Sequence, residues 1–318
     1  MLSVEEITGL MTAVRDRFPL QEGLEISLEA NPETVTLEKL QVYRLLGINR
    51  LSLGAQTFHP GGLKWLGRGH GPDQIAQAFG LARRAGFTNL SLDLIYGWQD
   101  QTLKDWHRDL LQSIELQPEH LSLYSLTVEP GTGLARQVAR GRFRTPSDDL
   151  SAACFTAAHN LLERHGYEHY EISNYARPGF ASDHNLGYWR YREYLGLGLG
   201  ASSFLKGRAA PTGGNHGLRW TQVSVMKHYL EERGAVKIDP ISRATAMGEF
   251  MMVGLRLKEG VGRSDFKNEF GIDIMEPFSK VLEDLSREGL VLLKGDRIIC
   301  SGQGFLFQDT VAQRFLPC

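Results

Sequence analysis

The sequence predicts an α/β protein in which a parallel sheet or partly open barrel is followed by a small winged-helix-like α+β domain. Short β-rich runs alternate with amphipathic helical stretches at a pitch of about 30 residues, which is typical of right-handed βαβ units. Near residue 242 this alternation ends, and three helical stretches precede a hairpin. With 318 residues, the chain is long enough for one large and one small domain.

The strands and helices of the first part have readable boundaries. Strands are predicted at residues 24–29, 50–56, 89–97, 120–127, 170–175 and 194–204, and helices at residues 4–18, 37–46, 72–85, 103–114 and 147–165. Thr102 and Ser147 suit N-cap positions, because a hydroxyl can accept a hydrogen bond from a free N–H of the first turn. Gly47, Gly86 and Gly166 suit helix ends, where a left-handed residue is common.

The C-terminal part predicts a winged-helix topology. Its helices are expected at residues 245–257, 263–270 and 274–288, its hairpin at 290–293 and 297–301, and a last helix at 304–315. The candidate recognition helix carries four acidic side chains against two basic ones, so phosphate would repel it. We therefore predict a structural or partner-docking domain and no nucleic-acid binding. The chain is divided into a barrel at 1–207, a connecting segment at 208–241 and a C-terminal domain at 242–318.

Composition and charge exclude several classes of protein. The 35 basic and 37 acidic residues give a formal charge of −2, so the chain has no basic field for nucleic acid or anionic lipid. No apolar run approaches the ~20 residues that span a bilayer, and the N-terminus is acidic where a signal peptide is basic. Cys154, Cys300 and Cys318 are too scattered for a disulfide framework and have no CxxC or CxxxCxxC spacing. We expect a cytoplasmic protein with no membrane span and no metal motif in this chain.

Alternation within the strands separates an apolar face from a polar face. In the first three predicted strands, Leu, Ile and Ala alternate with Ser, Gly, Gln, Glu, Asn or Asp. Since the apolar face must pack on helices, the polar face lines the interior, which suits a partly open barrel that holds a polar ligand. Glu29, Gln56, Asp93 and Thr127 then stand at the C-terminal strand ends, where parallel α/β folds place their sites. The alternative is that they are caps or buried hydrogen-bonding groups, with Arg68 as one partner.

Residues 195–201, LGLGLGA, alternate leucine with glycine. On a strand this pattern gives one leucine face and one bare backbone face, which is expected where a ligand or another backbone approaches closely. No helix with GxGxxG spacing follows, so a dinucleotide site is not indicated. Close packing without a ligand remains an equal alternative.

Six ordered motifs carry a resemblance to a known family. They are EISLEANP at residues 25–32, NRLSLGAQTF at 49–58, LGRGH at 66–70, DLIYG at 93–97, YEISNYA at 170–176 and HNLGYW at 184–189. In this order and spacing the chain resembles the radical S-adenosylmethionine (SAM) heme chaperones, also described as oxygen-independent coproporphyrinogen III oxidase-like proteins. The resemblance covers essentially the whole chain, and the motifs are specific together.

The resemblance implies a partial radical-SAM-type barrel and a set of cofactors. It implies that SAM is contacted by Glu29, Gln56, Arg68 and Asp93, with Thr127 and Ser202 nearby. It further implies a [4Fe–4S] cluster, heme as the cargo, and a heme-acceptor protein as the partner. These implications agree with the chemistry of the residues, because carboxylates at strand ends can accept from ribose hydroxyls and Arg can bind a carboxylate.

The chain departs from the family pattern in four respects. The CxxxCxxC loop and the GGGTP turn do not occur, Ser202 replaces a histidine, Trp98-Gln99 replaces Leu-Pro, and Cys318 is a single terminal thiol. Three thiolates normally hold such a cluster, so we expect no radical chemistry from this polypeptide by itself. The expected explanation is a start site assigned too late or a truncated paralogue. Either one leaves the first barrel strands missing and predicts self-association through an exposed barrel edge.

Three classes of function follow from these observations. The first is a radical-SAM heme chaperone or porphyrin-pathway protein, and the second is a cluster-less heme-binding or scaffold paralogue. The third is a barrel lyase or isomerase that uses Glu29 and Asp93 as acid and base. His184, beside Asn185, Tyr188 and Trp189, is the candidate heme ligand, and a hydrogen-bonded structural histidine is its alternative.

Overall fold

The fold was analysed in a computed structural model that describes residues 2–207, 216–231 and 237–317. Close contacts divide the chain into two compact units, Met1–Ala181 and Ser182–Cys318. The predicted three-part division at residues 207 and 241 stays a prediction. Cys318 and parts of the predicted connecting segment, residues 208–215 and 232–236, lie outside the described residues.

The first unit alternates strands with helices. Its elements are α1 (Val4–Arg17), β1 (Ser27–Ala30), a 3₁₀ helix (Pro32–Thr34), α2 (Leu37–Leu45), β2 (Arg50–Gln56), α3 (Pro60–Trp65), α4 (Pro72–Arg84), β3 (Leu90–Tyr96), α5 (Leu103–Glu115), β4 (His120–Ser125), α6 (Gly133–Ala139), α7 (Asp148–Arg164), β5 (Glu168–Glu171) and β6 (Asn174–Ala176). The five predicted helices are confirmed to within two residues at each end. The sequence did not predict α3 or α6.

Local capping explains where these helices begin and end. The hydroxyls of Thr102 and Ser147 accept hydrogen bonds from the first turns of α5 and α7, as predicted. Gly47, Gly86 and Gly166 follow their helices with φ of 83°, 92° and 79°, which confirms the predicted stops.

The sheet of the first unit is parallel at one end and antiparallel at the other. Its strand order is β1-β2-β3-β4-β6-β5, and β1 to β4 pair in parallel. The predicted single strand at 170–175 is wrong, because the chain folds there into the hairpin β5–β6, which pairs antiparallel with β4. The βαβ alternation therefore stops at β4.

Both faces of the central strands are buried, and they differ in polarity as predicted. Leu51, Leu53 and Leu92 are fully buried in the apolar core beneath the helices. On the opposite face Ser52 and Ser91 are buried polar residues. This interior contains a polar layer rather than the filled aliphatic interior of a closed eight-stranded barrel.

The second unit contains a small sheet and the C-terminal domain. Its elements are α8 (Asp183–Trp189), β7 (Ser202–Lys206), β8 (Gly217–Thr221), α9 (Met226–Leu230), β9 (Lys237–Ile241), α10 (Arg243–Gly254), β10 (Val261–Gly262), α11 (Arg263–Phe270), α12 (Met275–Arg287), β11 (Val291–Lys294), β12 (Arg297–Cys300), α13 (Gly302–Leu306) and α14 (Gln308–Gln313). The predicted last helix at 304–315 is two short helices. Helices α10, α11 and α12 and the β11–β12 hairpin confirm the winged-helix-like topology, and β10 is a third strand beside β12.

The predicted strand at 194–204 is wrong for most of its length. Residues 195–201 form a loop in which Gly198 and Gly200 have φ of 106° and 69°, so the chain cannot run as a regular strand there. The leucines of this loop are exposed and form no buried face. The strand proper is β7, which pairs with β8, and β8 pairs with β9. The segment predicted as a connection therefore supplies two strands of a sheet.

Among residues 2–207, 216–231 and 237–317, no helix is both long and apolar enough to cross a membrane.

Candidate functional site

A cavity of about 600 Å³ lies at the C-terminal ends of β1, β2 and β3. Four of the six residues predicted to contact or neighbour SAM line it together: Glu29, Gln56, Arg68 and Asp93. Parallel strands end at one edge of a sheet, so side chains from four sequence-distant motifs reach one space. Their roles toward a ligand stay predictions, but their convergence is a feature of the fold.

Asp93 lies on the inner face of β3 between two hydroxyls. The Ser52 hydroxyl on β2 donates a 2.9 Å hydrogen bond to Asp93 Oδ1, and Ser122 on β4 is the register partner of Asp93. Burial raises the pKa of this carboxyl above its ordinary value, and the charge of Glu29 adds to that effect. Hydrogen bonds from Ser52 and Ser122 and the charge of Arg50 act in the opposite direction. The Asp93 carboxyl is thus a hydrogen-bonding group at the cavity floor, and its pKa is higher than that of an ordinary aspartate.

Gln56 ends β2 in an unusual conformation. Its φ is 66°, and the N–H of Thr57 donates to the carbonyl of Ala55 at 2.8 Å, so Gln56 is the central residue of a three-residue turn. A Cβ on Gly54 would lie 2.7 Å from the Gln56 amide nitrogen. Glycine at position 54 therefore leaves the space that the Gln56 side chain occupies beside the cavity.

Arg68 reaches the cavity from the loop after α3. Its N–H donates to the Leu63 carbonyl at 2.9 Å, and its Nη1 donates to Asn31 Oδ1 at 3.4 Å. Two residues later the buried His70 places Nδ1 2.8 Å from Glu33 Oε2, which anchors the segment that follows. The Nε atom of Arg68 is buried and has no hydrogen-bond partner among the described residues. An acceptor group of a ligand would satisfy it.

Two other predicted residues do not line this cavity. Thr127 is exposed on the loop after β4, where its hydroxyl donates to the Ser125 carbonyl at 3.3 Å. Ser202 belongs to the second unit, where its Oγ lies 2.9 Å from Thr221 Oγ1. Their proximity to SAM stays a prediction.

Sequence reasoning missed two residues of this region. Asn31 follows β1, lines the cavity and accepts from Arg68. Tyr124 lies on β4 two residues after Ser122 and is 43% exposed, and partial burial together with the charge of Asp93 raises its pKa. Both could have been found, Asn31 from its position at a strand end and Tyr124 from its alternation with Ser122 along β4.

A second polar layer lies one step below Asp93 in the sheet. The His120 ring is fully buried, with Nδ1 2.8 Å from Ser91 Oγ and Nε2 2.8 Å from the Tyr170 hydroxyl. Burial, together with the charge of Arg50, holds the pKa of His120 well below its ordinary value. This neutral histidine ties β3, β4 and β5 together beneath the cavity.

The predicted heme ligand His184 is exposed on α8. Its ring packs edge-on against Tyr188 one turn later, with a centroid distance of 4.8 Å, and Tyr188 contacts Tyr194 at 4.7 Å. The cluster of aromatic rings predicted around this histidine is therefore partly assembled, and the imidazole is accessible. Its role toward heme stays a prediction.

The described cysteines do not fit a [4Fe–4S] cluster. Cys154 on α7 and Cys300 on β12 are buried and belong to different compact units. Burial raises the pKa of Cys154 to about 11 and that of Cys300 to about 12, which disfavours the thiolate that binds iron. Within the described residues, no group of three or more His, Cys, Asp or Glu side chains could hold a metal ion.

The fold and the cavity define a class of protein. Residues 3–111 match the family described as "Radical SAM superfamily", and residues 241–307 match the "HemN C-terminal domain". The structure of "Coproporphyrinogen III oxidase (HemN) from Escherichia coli", titled a radical SAM enzyme, superimposes with a TM-score of 0.79 at 22% identity, covering 99% of this chain and 74% of that one. The protein thus has the radical SAM fold, a class that implies SAM and a [4Fe–4S] cluster.

Sequence comparison places the chain more narrowly. It is 33% identical to "Heme chaperone HemW" of Lactococcus lactis over 99% of this chain and 82% of that protein. The proteins of the same name from Bacillus subtilis and Escherichia coli are 34% and 35% identical, over 99% of this chain and 82% and 81% of theirs. The chain belongs to the HemW family of radical SAM proteins. This assignment confirms the resemblance carried by the six motifs.

Proposed function

We propose that this protein is a cytoplasmic heme chaperone that binds SAM in the cavity of its first unit and delivers heme to an acceptor protein. Family membership supports the general role. The observation that carries the SAM proposal is the convergence of Glu29, Gln56, Arg68 and Asp93 on one cavity of about 600 Å³.

The lining of the cavity fits the chemistry of SAM. Asp93 and Glu29 supply carboxylates, which can accept hydrogen bonds from ribose hydroxyls and interact favourably with a sulfonium. The unpartnered Nε of Arg68 can donate a charge-assisted bond to the methionyl carboxylate. SAM supplies an adenosyl group on a sulfonium centre, and these residues would hold and orient it.

The names of the relatives support heme as the cargo. Histidine is a common axial ligand of heme iron, and His184 is an exposed histidine whose ring packs against Tyr188, which in turn contacts Tyr194. We therefore assign His184 as the ligand through which this protein holds heme before transfer. The partner that this proposal implies is a heme-acceptor protein.

Isothermal titration of the full chain with SAM tests the first half of the proposal. We expect Asp93→Asn and Arg68→Ala each to weaken binding by roughly 1–3 kcal/mol through loss of a charged hydrogen bond. The controls are Asp73→Asn and Arg84→Ala, which change exposed side chains on α4 and should leave affinity unchanged. Equal affinity in all four variants would remove the SAM assignment.

Titration with hemin tests the second half. We expect a Soret band in the parent protein that shifts or weakens in His184→Ala and is unchanged in His107→Ala, which removes an exposed histidine on α5. An identical spectrum for both variants would exclude His184 as the axial ligand.

A further inference from the structure

The turn after β2 holds a conformation that needs external support. Gln56 has a left-handed φ of 66°, and its turn is closed by the Thr57 N–H and the Ala55 carbonyl. Three-residue turns with a positive central φ are rare and strained for any residue other than glycine. Such a conformation persists only where the surrounding structure over-determines it.

A buried carboxylate on α5 supplies that support. Asp109 is 1% exposed, and its two oxygens are divided between consecutive residues of the turn. Thr57 Oγ1 donates to Oδ2 at 2.7 Å, and the Phe58 N–H donates to Oδ1 at 2.8 Å. The Thr57 hydroxyl also accepts from the His59 N–H at 3.0 Å. The Asp109 side chain therefore holds the two residues that follow Gln56 directly, and it reaches His59 only through the Thr57 hydroxyl.

The chain beyond this turn has separate support. The His59 ring stacks on Trp98 with a centroid distance of 5.1 Å, and Trp65 Nε1 donates to Gln99 Oε1 at 2.9 Å. These two contacts are made by the Trp98-Gln99 pair, which departs from the family pattern. Loss of the Asp109 contacts would thus release the turn while α3 stays anchored.

We propose that Asp109 is a positioning residue for the ligand cavity, acting by holding Thr57 and Phe58 so that Gln56 keeps its left-handed conformation and its amide beside Gly54. The inference rests on the proposed SAM site. Asp109 is not among the residues that line the cavity, and both of its oxygens are engaged by the turn. Its effect on a ligand must therefore pass through Gln56.

A double-mutant cycle separates this role from general stabilisation. SAM affinity is measured for the parent protein, for Asp109→Asn, for Gln56→Ala and for the variant that carries both substitutions. We expect Asp109→Asn and Gln56→Ala each to weaken binding about tenfold, equivalent to about 1.4 kcal/mol, and the double variant to be no weaker than Gln56→Ala. Additive losses would overturn the inference.

Asp105→Ala is the matched control on the same helix. Asp105 belongs to the capping box of α5 with Thr102 and makes no hydrogen bond to the turn. We expect it to lower the melting temperature while leaving SAM affinity intact. If Asp105→Ala and Asp109→Asn weaken binding equally, the effect of Asp109 is only on stability and the inference fails.

Hydrogen exchange gives a readout that needs no ligand. In Asp109→Asn the Phe58 amide should exchange faster, while the amides of α3 keep their protection. Thr57→Val removes only the bond from the Thr57 hydroxyl to Asp109, so we expect a smaller increase in Phe58 exchange. This variant serves as the test if Asp109→Asn does not fold. Unchanged Phe58 exchange in these variants overturns the inference even where SAM binds. Absence of SAM binding by the parent protein instead overturns the proposed function and, with it, the positioning role.

Discussion

The Ser52 hydroxyl donates a 2.9 Å hydrogen bond to the Asp93 carboxylate across the β2–β3 pair, at the floor of the cavity. Burial raises the pKa of Asp93, whereas the bond from Ser52 lowers it. Because burial is the larger effect, this carboxyl takes up a proton at a higher pH than an ordinary aspartate does. Its hydrogen-bonding capacity toward a ligand therefore depends on pH.

SAM affinity should rise with pH through the raised pKa of Asp93. The ionised carboxylate accepts from ribose hydroxyls and attracts the sulfonium, and protonation removes both capacities. Asp93→Asn should bind more weakly and show a flatter pH profile. Calorimetric titration between pH 5 and pH 8 measures this, with Asp73→Asn as the control that keeps the parent profile. A pH-independent parent protein would contradict the prediction.

The free energy of unfolding should depend on pH because of the raised pKa of Asp109. Burial raises its pKa from 3.8 to about 6, so the folded state binds more protons than the unfolded state between these values. The contribution of this carboxyl to the free energy of unfolding is therefore full below about pH 4 and is lost as pH rises through about 6. The loss is at most about 3 kcal/mol. Denaturant unfolding across this range should show a smaller loss of stability with rising pH in Asp109→Asn than in the parent, because the variant keeps only the contribution of Asp93 and the other titrating groups.

A methyl group at position 54 should damage the cavity more than the fold. The Cβ of Gly54→Ala would lie 2.7 Å from the Gln56 amide nitrogen and 3.3 Å from Asn31 Oδ1, so the Gln56 side chain must move. We expect SAM affinity to fall by roughly 1–2 kcal/mol, in the range of small-to-large substitutions. Gly80→Ala is the control, because a Cβ there meets nothing within 4 Å and alanine favours helix α4. Parent-like affinity in Gly54→Ala would show that the Gln56 side chain is not used.

Iron and sulfide reconstitution of residues 1–318 should not yield a stoichiometric [4Fe–4S] cluster. Cys154 and Cys300 are buried with raised pKa values, and they lie in different units. The measurement is visible absorption together with iron and sulfide analysis, with dithionite-dependent release of 5′-deoxyadenosine as a second readout. One cluster per chain with SAM cleavage would refute this prediction.

The edge of β1 should promote self-association. β1 is the first strand in the sheet order and pairs with β2 along one edge, and Leu24 just before it is 43% exposed. Leu24→Lys should lower the concentration-dependent increase in mass seen by light scattering. Leu292→Lys, on β11 of the other unit, is the control that should not. A parent protein that remains monomeric at high concentration would contradict this prediction.

Local signals predicted much of the fold. Helices α5 and α7 begin at the hydroxyl caps of Thr102 and Ser147, and these signals lie within one turn of chain. The β5–β6 hairpin was missed because its run contains no glycine or proline at the turn, and its antiparallel pairing depends on β4, about 50 residues away. The loop at 195–201 was mistaken for a strand because alternation of leucine and glycine cannot report that Gly198 turns to positive φ.

The sequence predicts which residues line the cavity, but it does not predict the contacts of Asp109 that hold the turn after β2. Glu29, Gln56 and Asp93 stand at strand ends, a position that alternation along the chain reveals. The two hydrogen bonds to Asp109 come from Thr57 and Phe58, which precede it in the sequence by 52 and 51 positions. An aspartate within a helix has no local sequence pattern that indicates such distant partners. The left-handed φ of Gln56 was equally unpredictable, because glutamine seldom adopts it.

The division of the chain after Ala181 bears on how the protein is made. Every residue of the first apolar core precedes that boundary, and every residue of the second core follows it. Each core is therefore encoded by one uninterrupted stretch of chain. During synthesis, all the residues of the first core leave the ribosome before the residues of the second core are complete. The two cores can therefore form in the order of translation. A domain-by-domain order of this kind limits the time for which apolar segments of both units are exposed together.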